Sequence, residues 1–370
     1  MTVAEELATL LRPAGGGIHL VSTGRAEQVA LQKRLYGAAT EDEIAARWRE
    51  ALAAAASARA VLLGIPSDVG AGFQRGANLG PAAIRTRLLE EDPELPSRLR
   101  AAGIVDLGDV FVVPQLLHDE MHSEAQLAAS RRALYPEVAP EVAATLPVSP
   151  LSIAERALRR VLEANPQAQV LALGGDHSCA WPVVRALREA RRDLGIVQID
   201  AHTDLLEERL GVKYCYGTWS FHANALVGGH GRVVQVGIRA SRRDRAHWEG
   251  TYGVRQFWAA EVRRDPAAAL DAIVDHVKKS GVRSVYFSND IDGTDAAFAS
   301  ATGTPEPDGL HPDFVAELVR RLGREVGLAG GDVMEVAPNV ACAPGGRERT
   351  LSLAARYLRE TIGALLERAA

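Results

Sequence analysis

Cysteine is scarce in this chain. Cys179, Cys215 and Cys342 are the only three in 370 residues; they lie far apart and form no CxxC pair. That spacing argues against a disulfide framework or a zinc–thiolate site and fits a reducing cytoplasm. Long apolar runs are missing too, and none approaches the ~18 residues that a membrane-spanning helix needs. The N-terminal stretch MTVAEELATLLRPAGGG has two glutamates in place of a basic flank and does not read as a secretory signal. Lys and Arg are dispersed rather than blocked together, and the formal net charge is −5, which points away from a nucleic-acid partner. There is no internal repeat and no low-complexity linker. What remains, at 47% hydrophobic and 24% charged, is the profile of a soluble cytoplasmic globular protein without a membrane partner, long enough for a large core.

Short apolar runs alternate with amphipathic stretches. RAVLLGI (59–65), IVDLGDV (104–110), QVLALGG (169–175), LGIVQID (194–200), RVVQVGI (232–238), RSVYFSND (283–290) and REVGLAGGDV (324–333) read as strands. Helical patterns fall at 80–91, 151–164, 179–192, 266–280, 311–322 and 347–367. Strands apolar on both sides, separated by helices, predict a parallel sheet covered on both faces, a three-layer α/β/α fold. Residues 111–150, rich in proline, predict a long surface connection or insertion. Residues 1–58 read as a helical N-terminal extension, and 59–370 as a single catalytic domain.

Three strand ends carry ionisable clusters. QVLALGG leads into Asp176-His177-Ser178, LGIVQID into Asp200-Ala201-His202-Thr203-Asp204, and RSVYFSND into Asp290-Ile291-Asp292 and then Asp295. Open α/β sheets bind ligands at the carboxyl ends of their strands. Extended residues two apart share a side, so Asp200 and His202 face one point, joined by Asp204 where the strand loosens. Asp290 and Asp292 do the same from another strand, and His177 arrives from a third. Each cluster alone has a plainer explanation, since Asp is a common cap and turn residue. Together they set four carboxylates and two imidazoles at converging strand ends, and such a cluster needs compensating positive charge. Hard oxygen donors with a few imidazoles suit Mn²⁺, and less exclusively Ni²⁺, Fe²⁺, Co²⁺ or Zn²⁺. So many anionic donors exceed what one ordinary catalytic ion takes, which implies two divalent metal ions about 3.5 Å apart.

The three motifs, in this order, resemble the ureohydrolase family of arginase, agmatinase, guanidinobutyrase and formiminoglutamase. SNDIDGTDAAFASATGTP (288–305) matches the family pattern at Ser288, Asp290, Asp292, Asp295 and Thr302-Gly303-Thr304-Pro305, and departs from it at Ala296, where the family carries proline. GIPSDVGAGFQRGANLGPAAIR (64–85) and GDVMEVAP (331–338) extend the likeness over roughly 59–365. The resemblance implies an arginase-like parallel sheet of about eight strands. It implies one metal held by His177, Asp200, Asp204 and Asp290, and the other by Asp200, His202, Asp290 and Asp292. A hydroxide held between them would attack an amidino or formimino carbon, releasing urea or formamide. Glu335 looks like the family's guanidinium-binding carboxylate. By the same likeness Glu335, Tyr216 and Asp292 stand as catalytic residues, and Thr304 and His222 join Glu335 on the substrate side. A homo-oligomer, trimer or hexamer, is implied as well.

Two departures narrow the substrate. Tyr216 stands where several family members carry a proton-shuttling histidine, and a phenol near ~10 shuttles poorly at neutral pH beside an imidazole near ~6.5. His222, five residues on, is the nearest substitute. Leu205, Leu206 and Glu207, after Asp204, lack the polar Asn that arginases use there for the α-amino-acid end. Both features point from L-arginine toward another small guanidino or formimino compound, as in agmatinases, guanidino-acid hydrolases and formiminoglutamases. The rival readings are a metal-binding pseudoenzyme and a deacetylase-type hydrolase on the related fold. Turnover would exclude the first, and a single bound metal would favour the second.

Overall fold

Alternating apolar side chains that must bury both faces set the frame. In the strand Ala60–Ile65, Val61, Leu63 and Ile65 enter one apolar core while Ala60 and Leu62 enter the other. The computed structural model describes residues 1–18 and 23–367; positions 19–22 and 368–370, which fall in the expected 1–58 and 59–370 segments, lie outside it. In chain order the strands are β1 (Leu11–Arg12), β2 (Ala60–Ile65), β3 (Ile104–Val110), β4 (Gln169–Gly174), β5 (Leu194–Ile199), β6 (Val233–Ile238), β7 (Arg255–Trp258), β8 (Ser284–Asn289) and β9 (Leu328–Val333). They form one nine-stranded sheet in the order β1-β3-β2-β4-β9-β8-β5-β6-β7. All adjacent pairs are parallel except β1 with β3. Helices cover both faces, giving the three-layer α/β/α arrangement expected from the sequence.

The strands expected from the sequence all form. β9 starts at Leu328 rather than Arg324 because the preceding helix, Pro312–Glu325, runs on to Gly327. There a φ of 100° lets the Gly327 N–H close onto the Leu322 carbonyl. β1 and β7 were not foreseen; with two and four residues they are too short to show a period.

The N-terminal helices Val3–Leu10 and Glu41–Ala54 share the core that holds Val61 and Leu63, through Leu7, Leu10, Trp48 and Leu52. The Trp48 indole donates to the Leu107 carbonyl at 2.9 Å. Residues 111–150 are less of a surface loop than their prolines suggest. They carry the helix Glu124–Leu134 and bury Leu116, Leu117, Leu127 and Val148. Among the described residues no helix is long and apolar enough to cross a membrane.

A buried cation ties β3 to the helix Gly80–Glu91. Arg85, 1% exposed, gives a bidentate pair of bonds to Asp106 and a 2.6 Å bond to Asp109. Only glycine fits at position 64 on β2, because a Cβ there would come within 1.9 Å of an Asp109 carboxylate oxygen. Replacing Arg85 with Met would leave Asp109 buried without its cation. We expect a loss of about 3–5 kcal/mol in unfolding free energy by urea denaturation; an unchanged midpoint would mean that water reaches the pair.

Candidate metal centre

Four neighbouring strands at the middle of the sheet, β4, β9, β8 and β5, deliver the ionisable residues from their carboxyl ends. Local turns aim them. After β4, Asp176 accepts from the Ser178 and Gly70 amides, folding a short helical turn that presents His177. After β8, an Asp290 oxygen accepts from the Asp292 amide at 2.9 Å, so the capping role and the site role belong to one residue. Gly293 lets this turn nest against β5, since a Cβ would lie 2.6 Å from the Asp200 nitrogen. Asp204 sits at φ 49°, a left-handed conformation uncommon outside glycine.

Asp200 lies at the centre. Its Oδ2 is 3.2 Å from His177 Nδ1, which also lies 3.0 Å from Asp290 Oδ2 and 3.4 Å from Asp204 Oδ2. Its Oδ1 is 3.5 Å from His202 Nδ1, and that nitrogen is 3.1 Å from Asp292 Oδ2. One carboxylate thus offers an oxygen to each imidazole. Two groups emerge that can hold a metal, His177 with Asp200 and Asp290, and Asp200 with His202 and Asp292, each with ligand atoms within 4.8 Å of one another. All six residues singled out in the sequence come together here.

Neighbouring groups fix the orientations. His177 Nε2 lies 3.0 Å from Ser288 Oγ, which donates to Asp332 at 2.9 Å. That path puts the imidazole proton on Nε2 and leaves the Nδ1 lone pair facing the carboxylates. The Trp219 indole donates to Asp204 Oδ2 at 3.0 Å, and its ring packs on His177 with centroids 4.5 Å apart. Thr304 Oγ1 donates to Asp292 Oδ2 at 3.0 Å. The sequence alone gave Trp219, Ser288, Asp332 and Gln198 no role. Ser288 and Asp332 carried a signal, their places in the 288–305 and 331–338 motifs.

The electrostatics call for cations. Among the described residues no lysine or arginine pairs with Asp200, Asp204, Asp290 or Asp292, and Arg239 gives its donors to backbone carbonyls around them, including Asp292 O at 2.7 Å. Burial raises the Asp290 carboxyl well above its ordinary range, and Asp292 and Asp200 raise it further. Burial, then Asp200, push Asp204 up to about 6. Burial opposes charge on His177, but Asp200, Asp204 and Asp290 outweigh it and raise the imidazole. Left to itself the cluster therefore gathers protons. The buried His177 Nδ1 meets no hydrogen-bond partner despite three carboxylates nearby. An orphaned nitrogen among hard oxygen donors fits a divalent cation.

The other expected residues are placed as follows. Glu335, at the end of β9 and at φ 62°, accepts from the His177 amide through Oε1 at 2.8 Å. A Cβ on Gly303 would lie 3.9 Å from its Oε2, so the Thr302–Pro305 run borders it. Burial and then Asp176 raise its carboxyl well above the usual range. Tyr216 is half-buried, with the Arg209 guanidinium 5.3 Å above its ring and Gly72 beside its hydroxyl. Burial is the main cause that raises its phenol. His222 lies inside the helix Trp219–Val227 and its Nε2 meets the Lys213 carbonyl at 3.0 Å, bracing the loop that carries Tyr216. Thr304 touches Asp292, as noted. Asp295, the third aspartate of its motif, accepts from the Ala297 and Gly309 amides and organises the loop.

A protein-family model described as the arginase family matches residues 58–363. N(1)-aminopropylagmatine ureohydrolase of Thermus thermophilus is 34% identical over 282 residues, covering 76% of this chain and 84% of that protein. Guanidinobutyrase of Pseudomonas aeruginosa is 30% identical over 286 residues, covering 75% and 79%. The solved structure of agmatine ureohydrolase from Thermoplasma volcanium superposes with a TM-score of 0.63 at 27% identity, covering 84% of this chain and 91% of that one.

Protons would compete with a bound cation for Asp204. With its pKa raised to about 6, the carboxyl is ionised above that value and protonated below it. Divalent-cation affinity should therefore fall as pH drops through that range, by about tenfold one unit lower from this group alone. Calorimetric Mn²⁺ titrations across the range test this, and a flat profile would take Asp204 out of the ligand set.

Proposed function

Since the chain belongs to the arginase family, a family of hydrolases of amidino and guanidino C–N bonds, we propose that it cleaves a linear amidine in a small guanidino or formimino compound, releasing urea or formamide. The observation that carries this reading is Asp200, which offers Oδ2 to the His177 group and Oδ1 to the His202 group. A carboxylate so placed suits two ions rather than one. In this reading His177, Asp200, Asp204 and Asp290 hold one divalent cation, and Asp200, His202, Asp290 and Asp292 the other, with Mn²⁺ foremost. Bound there, such ions supply charge neutralisation and the acidification of a water that attack at neutral pH requires.

The chain's own groups do the rest. Glu335 keeps one oxygen tied to the His177 amide and has the other to accept N–H bonds from a planar guanidinium or formimino group beside the ions. Its left-handed backbone is the kind of strain that persists where the surrounding fold fixes a functional side chain. Thr304 holds Asp292 in place on the substrate side of the centre. His222 supports the loop, and Tyr216 shapes the pocket wall or donates a hydrogen bond. Leu205 is buried and Leu206 exposed where an amino-acid end would have to be held, which supports a substrate other than L-arginine. A homo-oligomer, trimer or hexamer, and a cytoplasmic location belong to the same proposal.

The test is product release from the Mn²⁺-loaded protein. Urea, ammonia and formamide are measured with arginine, agmatine, guanidinobutyrate, guanidinopropionate, guanidine and formiminoglutamate. One compound should turn over, and Asp290→Asn should abolish both turnover and full metal loading. Glu335→Gln should keep the metals and lose about 10²-fold or more in kcat/KM, as expected when a charged group facing the reacting centre is neutralised. Two metals bound with silence across the panel would favour the pseudoenzyme; a single metal with amide hydrolysis would favour the deacetylase.

A further inference from the structure

Beneath Asp200 the sheet carries polar side chains where its neighbours are apolar. Gln198 on β5, Gln235 on β6 and Gln256 on β7 are directly paired in register across three parallel strands. All three are fully buried. Period-two alternation puts Gln198 on the same face as Leu194 and Ile196, and Gln235 on the same face as Val233. Burying three primary amides is costly unless every one is satisfied.

They are satisfied in one direction only. The Trp258 indole donates to Gln256 Oε1 at 2.9 Å. Gln256 Nε2 donates to Gln235 Oε1 at 2.8 Å, and Gln235 Nε2 to Gln198 Oε1 at 2.8 Å. Gln198 Nε2 then donates to Asp200 Oδ2 at 2.7 Å. Ser220 adds a second donor to Gln198 Oε1 at 2.8 Å, and Gln235 Nε2 also reaches the Thr203 carbonyl. An indole N–H can only donate and a carboxylate can only accept. The two ends therefore lock the sense of the chain, since flipping any amide would set nitrogen against nitrogen and oxygen against oxygen.

We infer that Gln198, Gln235 and Gln256, anchored by Trp258, form a single oriented amide chain that positions Asp200 for metal binding. The inference rests on the reading of Asp200 as a ligand shared by two ions. The chain ends on Oδ2, the oxygen facing His177, while the His202 amide holds Oδ1 at 2.6 Å. Each carboxylate oxygen is thus pinned by one N–H and keeps a lone pair for the cation on its own side. Aligned amides polarise one another, so the bond that reaches Asp200 is stronger than a lone glutamine would give. These are positioning residues: apart from Gln198 none touches a ligand, and Gln256 lies two amides away.

The test uses the full chain stripped of metal and retitrated with Mn²⁺ by calorimetry, with the EPR spectrum of the loaded protein and the melting temperature of the metal-free protein beside it. Gln198→Leu should weaken one binding step by about tenfold to a hundredfold, the usual effect of losing a partner of a metal ligand. Gln256→Met should weaken the same step by about threefold and alter the EPR spectrum, because its loss depolarises the remaining bonds. Should either variant fail to fold, Trp258→Phe removes only the outermost donor at a partly exposed position and should shift the spectrum in the same sense. Lower melting temperatures with unchanged Mn²⁺ affinities and spectra would overturn the inference and leave the row a structural device. Wild-type protein that binds fewer than two Mn²⁺ per chain would overturn the two-ion reading and this inference with it.

Discussion

Repulsion among Asp200, Asp204, Asp290 and Asp292 is the constraint around which the upper half of this fold is organised. Four carboxylates gathered in a buried site cannot stay ionised together without a cation, and among the described residues no lysine or arginine pairs with them. Arg239 shows how deliberate the arrangement is. A guanidinium lies within reach, yet its donors go to backbone carbonyls of the loops around Asp292 and Glu306, so it stiffens the rim and leaves the acidic groups uncompensated. The stability forgone in this way is what bound divalent ions would restore.

Holding such a site open requires rigidity beneath it. The centre draws on strands from the middle of the sheet, where both faces are buried and neither edge can fray. Short capped turns after β4 and β8 use aspartate side chains to fold the backbone, and Asp204 and Glu335 accept left-handed conformations at the site itself. Under the ionisable cluster lies a layer of polar side chains. Ser288 and Asp332 settle the His177 tautomer, the glutamines reach Asp200, and Trp219 covers Asp204. The ordinary competition between burying apolar surface and satisfying polar groups is resolved here by giving each buried polar atom a specific partner.

Much of this was legible in the chain itself. The runs at 169–175, 194–200 and 283–290 announce their strands through β-branched and leucine content, and each ends in a cluster whose residue types already suggest hard-cation chemistry. Other features gave no such signal. Thr304 and His222, placed near the substrate by resemblance, also bond to Asp292 and to the Lys213 carbonyl, contacts that spacing does not announce, because a hydroxyl or an imidazole near a site in sequence has many partners available in space. Asp295 looks like Asp290 and Asp292 in the motif, yet two loop amides occupy its oxygens. Spacing says which residues share a face only while the backbone stays extended, and from Ile291, where a short helical turn begins, it does not.

By itself, the sequence determined the class of fold, the identity of the six ionisable residues and the hard-cation chemistry they favour, because side-chain alternation, turn chemistry and donor type are local properties. The tertiary structure alone decided that β9 lies between β4 and β8, which brings Glu335 to the same centre. It alone set Gln198, Gln235 and Gln256 side by side, each a strand apart and 37 and 21 residues away in the chain. Strand order and register are fixed by how two apolar faces are buried at once across the whole sheet, and no window of sequence contains that information.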